Sequence, residues 1–249
     1  MAIHAIVMAA GQGTRMRSDL AKVLHTAAGR TLLDWSLAAL ADLDLESIAV
    51  VVGHQAPAVT AAIADSELAP LVATAIQAEQ LGTGHAAGIG LAALEAAPDD
   101  VIIVMPGDMP LLRPATLVAL VNEHSDSGAA ATLLSAVLAD PTGYGRIKRD
   151  GARVVAIVEQ ADATEEEAAI DEVNTSVYAF EAQALRTNIA RLTVDNAQGE
   201  QYLTDVVGML SAAGESVAAL VIDAEEATGV NTVDQLEAAA TVLVARAEY

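Results

Sequence analysis

Ile3-His4-Ala5-Ile6-Val7-Met8-Ala9 runs directly into Ala10-Gly11-Gln12-Gly13-Thr14-Arg15-Met16-Arg17, with Lys22 five residues further on. The first seven residues read as a strand buried on both faces, as in a parallel sheet. The glycine-rich segment behind them reads as a tight turn at that strand's carboxyl end. Glycines there let backbone N–H groups approach phosphate oxygens with no Cβ in the way, at the edge where open α/β sheets bind ligands. Met16 stands in place of the third glycine of a dinucleotide fingerprint, and no Gly-Lys-Ser/Thr closes the turn as a P-loop would.

The same alternation continues outward. Strands are expected at Ile3–Ala9, Ile48–Val52, Val72–Ile76, Val101–Met105, Ala130–Val137, Val154–Val158, Val173–Phe180 and Val217–Ile222. Helices are expected at Leu32–Asp44, Pro57–Ala64, Gly84–Ala96 and Pro114–His124, where Pro57 and Pro114 suit a first turn. This predicts an α/β fold, a Rossmann-like doubly wound and mostly parallel sheet. After about residue 138 the rhythm breaks. Asp140–Arg149 is turn-rich, Asp162–Glu172 is acidic, and the short strands beside them suggest a small antiparallel β lobe in the second half. Residues 1–249 then form a single unit, with a core at about 1–138 and 200–249 and a lobe at about 139–199. Thr232–Tyr249 reads as a closing helix, with Thr232 as N-cap and Gln235 at the capping-box position.

Of the 249 residues 53% are hydrophobic and 18% charged, enough apolar material for a sizeable core. One Trp, four Tyr and one Phe leave few rings for stacking bases, and a net charge of −22 opposes a polyanionic surface; no nucleic-acid or membrane partner is expected. Zero cysteines remove disulfides, thiolate metal sites and thiol nucleophiles. No basic n-region precedes Ile3 and no apolar stretch is long enough to span a bilayer, so a cytoplasmic location is expected.

Against that acidity the first turn stands out. Arg15, Arg17 and Lys22 put three of the twelve basic residues into eight positions, where an even spread would put fewer than one. A guanidinium and an ammonium around a glycine turn suit a polyphosphate. Asp108, in Pro106-Gly107-Asp108 behind the fourth strand, reads either as a carboxylate that holds Mg²⁺ against a ligand phosphate or as a turn aspartate capping its own backbone. Gln77, in Gln77-Ala78-Glu79-Gln80-Leu81-Gly82-Thr83-Gly84-His85, is either a solvated loop residue or a reader of a base edge. Glu159 and Asn174 sit at strand ends, as ordinary edge polarity or as brackets for a sugar; Asn231, before the last helix, offers a neutral carbonyl as a second metal ligand.

Taken together, Gly11-Gln12-Gly13-Thr14-Arg15-Met16, Lys22-Val23-Leu24-His25, Gln80-Leu81-Gly82-Thr83-Gly84-His85, Asp140-Pro141-Thr142-Gly143-Tyr144-Gly145-Arg146-Ile147 and Asn196-Ala197-Gln198-Gly199 resemble the sugar-phosphate nucleotidylyltransferases. More narrowly, they resemble the uridyltransferase half of the bacterial bifunctional N-acetylglucosamine-1-phosphate uridyltransferase / glucosamine-1-phosphate acetyltransferases. The resemblance spans nearly the whole chain. It implies a Mg²⁺-dependent pyrophosphorylase that takes UTP and N-acetylglucosamine 1-phosphate to UDP-N-acetylglucosamine and pyrophosphate, for peptidoglycan and other envelope polymers. Related transferases of another nucleotide or sugar, and a non-catalytic nucleotide-sugar binding module, are the alternatives.

Carried over by position, Arg15 and Lys22 would be the catalytic cations. Met8, Ala9, Ala10, Gly11, Gly13, Gln77, Gly82 and Thr83 would bind the nucleotide. Gly145, Glu159, Asn174 and Asn231 would bind the sugar phosphate, and Asp108 and Asn231 the metal. Three departures from the family accompany this. Pro106 stands where a Tyr or small polar residue is frequent, and Ser176 replaces a glycine after Asn-Thr. The chain also stops at Tyr249, where relatives continue into a β-helix of hexapeptide repeats, so no acetyltransferase domain is expected and the oligomeric state is left open.

Overall fold

Alternate residues of the first strand face opposite ways, and both sets are buried. Ala5, Val7 and Ala9 join one apolar cluster and Ile6 the other. A strand of that kind belongs inside a sheet covered on both faces. The computed structural model, which describes residues 1–64 and 66–247, has such a sheet at its centre.

In chain order the elements are β1 (Ile3–Ala9), a short hairpin of β2 (Thr26–Ala27) and β3 (Arg30–Thr31), α1 (Leu32–Ala38), β4 (Leu45–Val52), α2 (Ala56–Ile63), β5 (Val72–Ile76), α3 (Thr83–Ala92), β6 (Val101–Pro106) and α4 (Pro114–Ser127). Then follow β7 (Ala131–Val137), β8 (Arg146–Asp150), β9 (Arg153–Val158), α5 (Glu165–Ala168), β10 (Glu172–Glu181), α6 (Ala182–Ile189), α7 (Asp205–Ala212), β11 (Val217–Val221) and α8 (Val233–Ala247). The sheet order is β11-β7-β10-β6-β1-β4-β5, with β8 and β9 attached beside β10. Side chains of α1, α2 and α4 cover one face, and those of α3, α6 and α7 the other.

The doubly wound α/β expectation holds, with one addition. Pairings of β6, β1, β4 and β5 are parallel, as is that of β11 with β7, but β10 runs against both β6 and β7 in the middle of the sheet. Its last residues, Tyr178–Glu181, pair with β6, while Val173 meets Arg146 of the antiparallel β8–β9 pair. β10 is therefore shared between the main sheet and the small lobe. Because it runs backwards, its first residues lie at the carboxyl edge of β6, beside the turns that follow β1, β5 and β6.

Three expected elements change, one being the helix expected to reach Ala96, which ends at Ala92 where Ala93 N and Leu94 N bond three residues back. The first helix stops at Ala38 because Leu40 N, Ala41 N and Leu43 N bond to Leu37, Ala38 and Leu40, three residues back, which tightens the chain out of α geometry. Within the stretch expected to be turns, Arg146–Asp150 forms β8. The closing helix runs Val233–Ala247, with Glu248 and Tyr249 of the expected span outside the described residues. Its capping box forms as expected: Thr232 Oγ1 accepts from Gln235 N at 3.2 Å, and Gln235 Oε1 from Thr232 N at 3.1 Å. No helix among the described residues is long and apolar enough to cross a membrane.

Candidate active site

The turns at the carboxyl edge enclose two adjoining cavities of about 270 and 410 Å³. Lys22, Thr83, Pro106, Asp108 and Ser176 line both and form the wall between them. Met8, Ala9, Ala10, Gly11, Gln77 and Gly82, expected for the nucleotide, line the first. Arg15, Gly145, Glu159, Asn174 and Asn231 line the second. Gly13 lines neither. Its φ is +68°, and a Cβ there would stand 2.5 Å from Lys22 Cβ, so the absence of a side chain lets Lys22 pack against the turn.

Charge converges at the shared wall. Lys22 Nζ donates to Asp108 Oδ2 and, at 2.9 Å, to Asn231 Oδ1, which also accepts from Arg15 Nη2 at 2.9 Å. The Asp108 carboxylate is thus engaged by a cation rather than capping its own turn. Backbone geometry fixes this meeting, since Val230 N donates to Asp108 O at 2.9 Å. Gln235 Oε1, already capping α8, also accepts from Asn231 N at 2.7 Å. The two oxygens directed at Lys22 are one carboxylate and one neutral amide carbonyl, a hard donor pair that suits Mg²⁺ completed by ligand phosphate and water. No group of three or more His, Asp or Glu that could form an all-protein cage is found among the described residues.

In the first cavity Gln77 is buried rather than solvated. Its Nε2 donates to Gly82 O at 3.2 Å and lies 3.1 Å from His85 Nδ1, which leaves Oε1 as the acceptor end. Gly82 has φ +112°, and a Cβ on it would stand 2.5 Å from Gln201 O. Only glycine lets this turn pair with the loop before α7, through Gly84 N to Gln201 O at 2.8 Å and Gln201 N to Leu81 O at 2.7 Å. Thr83 Oγ1 adds a bond from Leu203 N at 3.0 Å.

In the second cavity the antiparallel strands bring the expected sugar residues together. Asn174 N donates to Gly145 O at 2.8 Å, and a Cβ on Gly145 would lie 3.5 Å from Glu159 Oε2 and 3.7 Å from Asn174 Cβ. Asn174 Nδ2 donates to Tyr178 Oη at 2.7 Å. Burial raises the Glu159 carboxyl above its ordinary range; the bond from Thr204 Oγ1 at 2.9 Å opposes this, and the charges of Asp205, Asp162 and Glu200 add to it. Burial, then the Asp108 charge, raises the Tyr144 phenol.

Several lining residues stand outside the expected set. Gln80 and Glu200 line the first cavity, Tyr144 and Gln235 the second, and Ser176 both. Gln80 has a sequence signal, three residues after Gln77 in the same turn. Glu200 directly follows the quoted Asn196–Gly199 stretch, but it reaches the cavity through a loop paired across 120 residues of chain.

Among known proteins, a family model for the MobA-like NTP transferase domain matches residues 5–160. The bifunctional protein GlmU of Streptomyces coelicolor is 49% identical over 241 residues, 96% of this chain and 50% of that protein. The bifunctional protein GlmU of Mycolicibacterium vanbaalenii is 50% identical over 243 residues, 96% and 49%. The chain thus spans about half the length of the curated relatives it matches. An apo UDP-glucose pyrophosphorylase structure superposes with a TM-score of 0.79 at 15% identity, covering 99% of this chain and 100% of that one. A Bacillus anthracis protein assigned as a glucose-1-phosphate thymidylyltransferase gives 0.76 at 18%, covering 97% and 95%. At those identities the likeness is one of fold. With the family model covering more than half of its length, the chain belongs to the MobA-like NTP transferase domain family.

Proposed function

We propose that this chain is a Mg²⁺-dependent uridylyltransferase that makes UDP-N-acetylglucosamine and pyrophosphate from UTP and N-acetylglucosamine 1-phosphate. The observation that carries the reading is the network of Arg15, Lys22, Asp108 and Asn231 at the junction of two cavities. The bifunctional GlmU relatives, similar over nearly the whole chain, support the choice of nucleotide and sugar.

In this reading UTP occupies the first cavity and the sugar phosphate the second. A phosphate oxygen of the sugar phosphate attacks the α-phosphorus of UTP, the bond from that phosphorus to the α–β bridging oxygen breaks, and pyrophosphate leaves. The attacking phosphate is already an anion at neutral pH, so no general base is needed. The work of the protein is positioning and electrostatic stabilisation. Arg15 draws the leaving pyrophosphate, and Lys22 neutralises charge that builds between the two substrates. Asp108 and Asn231 would hold Mg²⁺, which supplies Lewis-acid neutralisation of phosphate charge when bound. Gln77 Oε1 is an acceptor for the N3–H of uracil, a donor that cytosine lacks. Glu159 and Asn174 orient the sugar.

The test is pyrophosphate release from UTP, N-acetylglucosamine 1-phosphate and Mg²⁺, with EDTA and with CTP or GTP as controls. Metal-dependent release with UTP alone is the expected result. Release with a different nucleotide or sugar phosphate would move the reading to another transferase of the family. No release with any pair, while UDP-N-acetylglucosamine still raises the melting temperature, would make this a binding module.

A further inference from the structure

Ser176 sits in a backbone conformation that serine adopts only under constraint. Its φ is +63°, the left-handed region that disfavours residues with a Cβ. Three other non-glycine residues among those described share a positive φ (Arg17, Ala28 and Gln55), and none of them lines either cavity. Ser176 lines both.

The conformation belongs to a bulge. Along β10, Asn174 pairs with Ser135 and Tyr178 with Leu133, so four steps on one strand match two on the other. The surplus residues are stitched down by Thr175 Oγ1 donating to Leu134 O at 2.9 Å and Ser176 N donating to Asn174 Oδ1 at 3.2 Å. Bulges of this kind re-aim a side chain, and they concentrate beside active sites. On its other side β10 pairs with β6 from Tyr178–Val104 onward, and beyond that last pair Ser176 and Pro106 both line the two cavities. Proline offers neither an N–H nor a polar side chain, so of these two lining residues only Ser176 brings a hydrogen-bonding side chain. Ser176 Oγ stands 3.5 Å from Asn174 Nδ2 and neighbours the Tyr178 phenol, long contacts that a ligand oxygen can displace.

We infer that Ser176 is a phosphate-contacting residue, its left-handed backbone retained because it delivers the hydroxyl to the place where nucleotide and sugar phosphate meet. Strain retained at one residue of a site is a signature of function. The inference rests on the proposed reaction for the identity of its ligand.

Two variants separate the hydroxyl from the strain. Ser176→Ala removes the hydroxyl and keeps the Cβ; Ser176→Gly removes both. Kinetics with UTP and N-acetylglucosamine 1-phosphate, calorimetric binding of UDP-N-acetylglucosamine and melting temperature are measured on each. A hydrogen bond to a charged group is worth roughly 10- to 100-fold, so both variants are expected to lose about that much in kcat/KM and to bind the product more weakly. Ser176→Gly is also expected to melt about 2–4 °C higher, and Ser176→Ala at the wild-type temperature. A Ser176→Gly variant that gains stability and keeps wild-type turnover and affinity would overturn the inference alone. An inactive wild type whose product affinity drops in Ser176→Ala would overturn the reaction and leave the contact standing. A wild type that neither turns over nor binds would overturn both.

Discussion

Gly13→Ala tests whether the glycine turn works by placing Lys22. The added Cβ would stand 2.5 Å from Lys22 Cβ, about 0.9 Å inside the 3.4 Å at which ordinary contact begins. Rotating the lysine side chain would relieve only the 3.2 Å contact with its Cγ, because Cβ and Cα, the latter 3.3 Å away, move only with the backbone. The φ of +68° must also be held by an L side chain, at roughly 1–2 kcal/mol. The backbone term alone predicts a melting temperature lower by about 2–8 °C, and the clash lowers it further. Lys22 Nζ contacts Asp108 and Asn231, and a displacement near 1 Å at that point is worth on the order of 10²-fold in turnover. The assay is coupled pyrophosphate release at saturating UTP and sugar phosphate, on Gly13→Ala, Lys22→Ala and the double variant. If the glycine acts through the lysine, the double variant is no slower than Lys22→Ala alone. A Gly13→Ala protein that melts early but turns over within about threefold of wild type refutes the reasoning, as would fully additive losses.

Gly11 makes the converse case: nothing lies within 4 Å of a Cβ there, so Gly11→Ala should leave the melting temperature unmoved while raising KM for UTP, read by titrating UTP at fixed sugar phosphate. Arg15→Ala and Asp108→Ala should each lower kcat by about 10²–10³-fold, and Asp108→Ala should also shift the Mg²⁺ concentration for half-maximal rate upward; near-normal turnover in either would remove that residue from its role. Burial lowers the pKa of His124, so the unfolded chain takes up the proton first and stability should fall as pH drops below about 6.5. Melting curves of wild type and His124→Gln between pH 7 and 5 should then show a shallower fall for the variant, and parallel curves would exclude His124 as the cause.

How much was legible in the sequence depends on how local each signal is. β1 and β5 lie at the expected bounds, and the central strands differ by a few residues, because runs such as Val101–Met105 are apolar on both faces. β8 escapes that reading: Arg-Ile-Lys-Arg-Asp carries one apolar residue, and only pairing with β9 and β10 makes it a strand. Its first residue, Arg146, is 2% exposed and bonded to Tyr144 O, Gln160 Oε1 and Ala168 O, a burial no charge pattern announces. In the site, the clustering of Arg15 and Lys22 in an acidic chain marks the loop that carries them. Asp108 and Gln77 are marked only as the tips of strands, and what the structure adds is that both are buried and partnered. Ser176 and Glu200 depend on a bulge and on a distant loop pairing, neither of which has a local signature.

The amide of Asn231 receives Arg15 across 216 residues and Lys22 across 209, and the cap of α8 holds its backbone. On a ribosome the glycine turn emerges early and Lys22 can meet Asp108 midway, yet the oxygen that Arg15 and Lys22 share appears only near the end of the chain. No nascent fragment lacking Asn231 can assemble the network, and fraying of the first turn of α8 releases it again. For the reaction proposed above, competence would then be a late milestone of folding, and a cut at the start of α8, far along the chain from the first turn, would dismantle a network whose cations all lie within the first 22 residues.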